Sequence, residues 1–247
     1  MMSTPIVSIV GQFDPEYPAH VATHDALIHA MSACNVVLNT KWVTPTQIVD
    51  RDDILDGTCC ALIAPRNPKT PRQLWPEILA SLEWFEARKL PVLGLEFGYQ
   101  HMIIDLARRL LDRPDANSTA YDENASFPVI SRLESDQPPI DKFSPKDISI
   151  SFDAGSRLAE VYGSTGPFQE AFRGHYVANP DFLTEFESHG VHFTGRGTYG
   201  ERTFVAGLER TDLPFYLGAA FLPQYNSSAE KPHPLFQALI QAGIDAL

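Results

Sequence analysis

The sequence predicts an α/β protein with a doubly wound, mainly parallel central sheet flanked by helices, with antiparallel strands added in its second half. Three observations carry this. Up to Leu111, short apolar runs alternate with segments of helical periodicity, the pattern of strand–helix–strand units. Beyond Asp147 the apolar runs shorten and alternate with polar residues, as in antiparallel strands. Between them, Leu90–Gln100 runs an apolar strand through Gly94-Leu95-Glu96-Phe97-Gly98 into a helical pattern at Ile103, Leu106, Ala107, Leu110 and Leu111. That is elbow geometry: two glycines allow a tight turn that holds the central side chain over the sheet edge, beside helix N–H groups.

The elements follow in order. Pro5–Val10, stopped by Gly11, suits a buried parallel strand. His24, Leu27, Ile28 and Met31 form one helical face, and Asn35–Val43 supplies a second strand around Val36-Val37-Leu38. Cys59–Ala64 supplies a third. Thr70-Pro71-Arg72-Gln73 has the capping-box pattern of a helix start, with Leu74, Ile78, Leu82 and Phe85 on one face behind it. The region 112–144 is polar apart from Phe127-Pro128-Val129-Ile130. Alternating runs at 148–151, 158–162, 175–177, 191–193 and 204–206 predict strands folding back over the first sheet. Pro214–Phe221 reads as a late central strand and Pro234–Ile244 as a closing helix. With no repeat and no long linker, residues 1–247 are expected to form one domain.

Composition excludes several functions. The net charge is −12, from 31 acidic against 19 basic residues, which disfavours nucleic acid and anionic membranes as partners. Cys34, Cys59 and Cys60 lack metal or disulfide-framework spacing, and no apolar run reaches the roughly 18 residues of a membrane helix. A cytoplasmic protein with a small-molecule ligand or substrate is expected, with no cofactor and with homo-oligomerisation left open. His20 and His24 lie four apart, as a metal pair would, but no third ligand has suitable spacing, so no metal is expected. Cys59 and Cys60, inside an apolar run, read as core.

The chain resembles class I, triad-type glutamine amidotransferases, specifically the amidotransferase domain of CTP synthases, over nearly its whole length. The resemblance is carried by Ile9-Val10-Gly11 with Asp25–Ala30, by Pro91–Gln100, and by Asp105–Arg108 with Asp115–Thr119. It continues through Tyr176–Pro180, Phe221–Tyr225 and Pro232–Phe236. It implies the amidotransferase, flavodoxin-like fold. It also implies that the three positions of the family's Cys-His-Glu triad are held here by Glu96, Leu222 and Gln224. A thiolate must attack the amide and a histidine must carry the proton; Leu222 does not transfer protons. The family's Gly-rich oxyanion loop is replaced by Ala64–Lys69, and its basic run before Tyr176 is reduced to Arg173 and His175. Gln100 is kept. Ordinary glutaminase activity is therefore expected to be absent.

Glu96 is the candidate catalytic residue, as nucleophile or general base on a small amide-bearing or anionic metabolite. The alternative is a catalytically silent protein that binds a ligand or partner, with Glu96 tolerated beside helix N–H donors. Arg66, Phe97, Tyr99, Gln100, Arg173 and His175 are the candidate substrate-binding residues. Arg66 and Lys69 follow a strand end and stand ready to balance Glu96, or lie at the surface. Arg173 and His175 share a face if their segment is a strand. Tyr99 either lines the pocket or packs on the helix.

Overall fold

A computed structural model describes residues 4–50, 53–134 and 144–247. The first half contains β1 (Ile6–Val10), α1 (Pro18–Ala33), β2 (Asn39–Val43), α2 (Pro45–Asp50), β3 (Thr58–Ile63), α3 (Pro76–Ala87), β4 (Val92–Leu95) and α4 (Phe97–Leu110). The second half begins with β5 (Ala116–Ser118), β6 (Phe127–Arg132), β7 (Lys146–Phe152), α5 (Arg157–Tyr162), β8 (Phe168–Phe172) and β9 (Tyr176–Ala178). It ends with α6 (Thr184–Glu187), β10 (Val191–Tyr199), β11 (Arg202–Arg210), β12 (Tyr216–Ala219) and α7 (Pro234–Asp245).

The main sheet has the order β2-β1-β3-β4-β12-β11-β10-β7-β8. The pairs from β2 to β12 are parallel, and those from β12 outward to β8 are antiparallel. The predicted α/β sheet is therefore present as a mixed sheet. The antiparallel strands do not fold back over it. They lengthen it, because Gly207-Leu208-Glu209 pairs with Ala219-Gly218-Leu217 along the edge of β12. A second sheet, β5-β6-β9, packs against α4.

Strands buried on both faces explain the near-continuous apolar runs. All four residues of β4 are buried, as parallel strands covered by helices require. On β3, α7 lies over Cys60 while α4 lies over Ile63. Those positions are three apart and so point to opposite faces. Cys59 and Cys60 are core residues, 2% and 0% exposed.

Local details depart from the sequence reading for identifiable reasons. The capping-box pattern at Thr70 does not start a helix: its hydroxyl and its N–H both donate to the Asn67 carbonyl, closing a turn. The helix begins at Pro76 instead. The second strand is Asn39–Val43, because only there does the chain reach β1, and Val37 is 85% exposed. The buried face of α1 is His20, Thr23, Ala26, Leu27, Ala30 and Met31, while Ile28 faces solvent. Residues 158–162 form a helix rather than a strand. The Ser156 hydroxyl caps it by accepting from Ala159 N–H, and Gly163 ends it at φ +75°, a left-handed cap that glycine adopts without strain.

Candidate functional site

The elbow forms where β4 stops between β3 and β12. Glu96 donates its N–H to Ala219 O (2.8 Å), and its own carbonyl accepts from Gln100 N–H (3.2 Å) in the first turn of α4. Its backbone sits at φ +49°, ψ −98°, a conformation that costs a residue with a side chain about 1–3 kcal/mol. The two glycines make it reachable. A Cβ on Gly98 would collide with the Ile63 carbonyl, and one on Gly94 with the Met102 sulfur. The helix start therefore lies directly on β3 and β4, and Glu96 is turned outward over the strand ends, where α/β folds place their sites.

The Glu96 side chain is 12% exposed, and its carboxylate is held from two directions. Oε2 accepts from the Arg66 backbone N–H at 3.1 Å. The same oxygen lies 3.1 Å from Arg173 Nη2, and that guanidinium also donates to Arg66 O at 2.9 Å. Burial raises the Glu96 pKa above the ordinary carboxylate value. The Arg66 N–H, the Arg66 charge, the Phe97 N–H and the Arg72 charge oppose that rise. Burial likewise pulls Arg173 down, to about 10, against the opposing Tyr225.

The loop 64–70, at the place of the missing glycine-rich segment, is braced by its own side chains. Arg66 Nη1 donates to the carbonyls of Asn67 (3.1 Å) and Thr70 (2.6 Å). Asn67 Nδ2 donates to Asp14 Oδ2 at 2.7 Å. His20 accepts from Asp14 N–H at Nδ1, so its Nε2 carries the proton and donates to Pro65 O at 2.9 Å. That loop-supporting role explains the buried His20. No group of three metal-ligating side chains occurs among the described residues.

Around Glu96, the residues Arg66, Phe97, Gln100, Arg173 and His175 converge on one small pocket. Gln100 Nε2 donates to Tyr176 O at 3.2 Å. Arg173 and His175 reach the pocket from the connection between β8 and β9, so their common orientation does not come from a strand's two-residue period. Lys69 does not join them: its amine pairs with Glu16 (3.0 Å) and Asp14 (3.4 Å) on the outside of the loop.

Tyr99 is a correction to the sequence reading. It is 0% exposed, its ring lies against Gly218, and its hydroxyl donates to Val205 O at 3.2 Å. Two helical residues on from Phe97 is a turn of about 200°, which takes Tyr99 to the sheet while Phe97 and Gln100 keep the pocket side. Arg72 and Tyr121 were missed. Arg72 lines the pocket over the Tyr176 ring at 5.0 Å, and Tyr121 feels the Glu96 charge and stacks edge-on against Phe97. Arg72 lies in a run that matches a helix start. Tyr121 sits in a polar stretch with no periodicity to place it.

At the remaining positions of interest, Leu222 is 0% exposed and donates its N–H to Ala171 O. Gln224 is 2% exposed, and neither atom of its amide has a partner among the described residues. The pocket itself measures about 30 Å³, room for about two water molecules. Chemically, it sets the Arg173 guanidinium, the Arg66 N–H and the charges of Arg66 and Arg72 about one carboxylate. No histidine stands at Leu222 to carry a proton to or from the elbow.

A parallel sheet ending in this elbow, extended on one side by antiparallel strands, defines the class of protein. The chain belongs to the class-I glutamine amidotransferase family, whose model matches residues 19–242. Within that class it is similar to CTP synthases. It is 28% identical over 244 residues to the CTP synthase of Haloarcula marismortui, covering 96% of this chain and 42% of that protein. It is 30% identical over 262 residues to CTP synthase 2 of Rattus norvegicus, covering 98% of this chain and 43% of that protein. The chain thus spans less than half the length of these relatives. Its fold is similar to the glutaminase domain of Trypanosoma brucei CTPS with bound acivicin, with a TM-score of 0.81 and 18% identity, covering 98% of this chain and 94% of that one. No helix among the described residues is long and apolar enough to cross a membrane.

Proposed function

We propose that this chain does not hydrolyse glutamine and that it acts, on an amidotransferase scaffold, as a cytoplasmic binding protein for a small anionic metabolite. The observation that carries this reading is the state of the elbow carboxylate. Glu96 Oε2 is engaged by Arg66 N–H and by Arg173, each at 3.1 Å, and the side chain at the histidine position is the sealed Leu222. A carboxylate with one oxygen held by a guanidinium and an amide is a weaker nucleophile toward an acyl carbon. Without a proton carrier, the leaving amine is not protonated. Arg66, Arg72 and Arg173 against one carboxylate make the pocket net cationic, which favours an anionic ligand over a neutral amide.

The test is ammonia release from glutamine by the purified chain, compared with buffer. No release is expected. Turnover that survives changing Cys34, Cys59 and Cys60 together to Ser would reveal another nucleophile and overturn the reading, as would turnover carried by one of those thiols.

One observation favours a second reading, in which Glu96 is a general base or nucleophile on an amide-bearing or anionic metabolite. Burial moves its pKa upward, toward the range useful for proton transfer at neutral pH. Glu96→Gln separates the two. Retention of ligand binding with the amide in place supports the binding role. Loss of turnover on an identified substrate, with the fold intact, supports catalysis.

A further inference from the structure

The donors that hold Glu96 come from segments fixed independently of it. The Arg66 N–H belongs to a loop tied down by Arg66 Nη1 to the carbonyls of Asn67 and Thr70, by Asn67 to Asp14, and by His20 to Pro65. Arg173 is 5% exposed, donates to Arg66 O, and lies with its guanidinium carbon 5.3 Å from the centre of the Tyr17 ring. Taking away the Glu96 carboxylate would leave these donors aimed at one point, with the Phe97 N–H beside them. Two backbone N–H groups and a guanidinium converging in a mostly buried place form an oxyanion site. Here the site is filled by the chain itself.

We propose that Glu96 is a tethered, autoinhibitory occupant of this oxyanion site, and that the site's ligand is a small monovalent oxyanion that enters by displacing the Glu96 carboxylate. This rests on the binding reading above and extends it to what competes for the pocket. Among the described residues, the charges that face the point include Arg66, Arg72 and Arg173, with His175, Tyr121 and Tyr225 as titratable neighbours and Glu96 as an anion beside them. Displacing Glu96 without an incoming anion takes the carboxylate away from the buried Arg173 guanidinium and leaves the Arg66 and Arg72 charges beside it, which is costly. A carboxylate from solution removes that cost. With Glu96 in place the pocket, at about 30 Å³, is too small for a larger ligand. Tethering gives the internal carboxylate an effective concentration in the mM range or above, so it competes strongly with free anions.

Formate is the probe, because it reproduces the carboxylate and nothing else. Thermal unfolding of the wild type and of Glu96→Gly is followed while formate replaces chloride at constant ionic strength and pH 7.5. Glycine suits φ +49° and removes the carboxylate without adding backbone strain. The melting temperature of Glu96→Gly is expected to rise with formate, by about 5–10 °C when formate reaches 100 times its dissociation constant. The wild type should require at least about tenfold more formate for the same shift, since its own carboxylate competes. Glu96→Gly combined with Arg173→Leu should show no shift. If Glu96→Gly does not fold, Glu96→Ser, too short to reach Arg173, gives the same measurement. No formate effect in the variant, or an equal effect in wild type, overturns the proposal. Neither result bears on ammonia release, so failure here is distinguishable from failure of the binding reading.

Discussion

Removing Arg173 tests how strongly the elbow carboxylate depends on its buried partner. At 3.1 Å, two unit charges attract by about 5 kcal/mol at an effective dielectric constant of about 20. Part of that offsets the desolvation of both groups, which are only 5% and 12% exposed. Breaking such a pair from one side leaves an uncompensated buried charge and typically costs about 3–5 kcal/mol. Arg173→Leu should therefore lower the unfolding free energy by about 3–5 kcal/mol, and Glu96→Ala by a similar amount. In a chain of this size that is a loss of about 6–20 °C in melting temperature. The double variant should cost less than the sum by about 1–3 kcal/mol, since the second change removes a charge already without its partner. Urea unfolding followed by far-UV circular dichroism gives all four free energies, provided the slopes agree. If the two single effects add within about 0.5 kcal/mol, the pair is not coupled and the account of the elbow is wrong.

Two further outcomes follow from the same geometry. Glu96→Gly should be at least as stable as Glu96→Ala, although glycine ordinarily costs about 0.5–1 kcal/mol more, because only glycine relaxes at φ +49°; urea melts showing the ordinary glycine penalty would contradict the positive φ. His101 is fully buried, donates from Nδ1 to Phe97 O and accepts Trp75 N–H at Nε2, and burial pushes its pKa down to about 4. In the unfolded chain it titrates near 6.5, so between those values the unfolded state binds the extra proton. The neutral ring's contribution is complete above pH 6.5 and is lost as pH falls toward 4, by about 3 kcal/mol. The wild type should lose that much more than His101→Phe between pH 7 and pH 4 in equilibrium unfolding, and parallel pH profiles would show that His101 is not held neutral.

Much of the fold was legible because parallel strands covered on both faces read as unbroken apolar runs. Residues 58–63 and 92–95 are of that kind. The elbow was legible because Gly94 and Gly98 stand where a Cβ would strike Met102 and the Ile63 carbonyl. Failures came where local chemistry has two uses. Thr70 and Gln73 match a helix cap, yet Thr70 turns back onto Asn67. Alternation at 158–162 matches a strand, yet Ser156 and Gly163 cap a helix. At the site, the sequence marked Arg66 and Lys69 as candidates to balance Glu96, and Arg66, Arg173 and His175 as candidates to bind substrate. It did not reveal that Arg66 uses its backbone N–H while its guanidinium braces the loop, nor that acidic residues on the chain before α1 draw Lys69 away. Those roles depend on the path of the loop, which no periodicity encodes.

The central claim is that an amidotransferase elbow carrying Glu96, with Leu222 and Gln224 behind it, does not turn over glutamine. Its most direct test is the rate of ammonia release from saturating glutamine by the purified, folded chain, measured against buffer and against the Glu96→Gln variant. All three rates are expected to be indistinguishable. Release by the wild type that Glu96→Gln abolishes would contradict it and would make Glu96 the nucleophile or base.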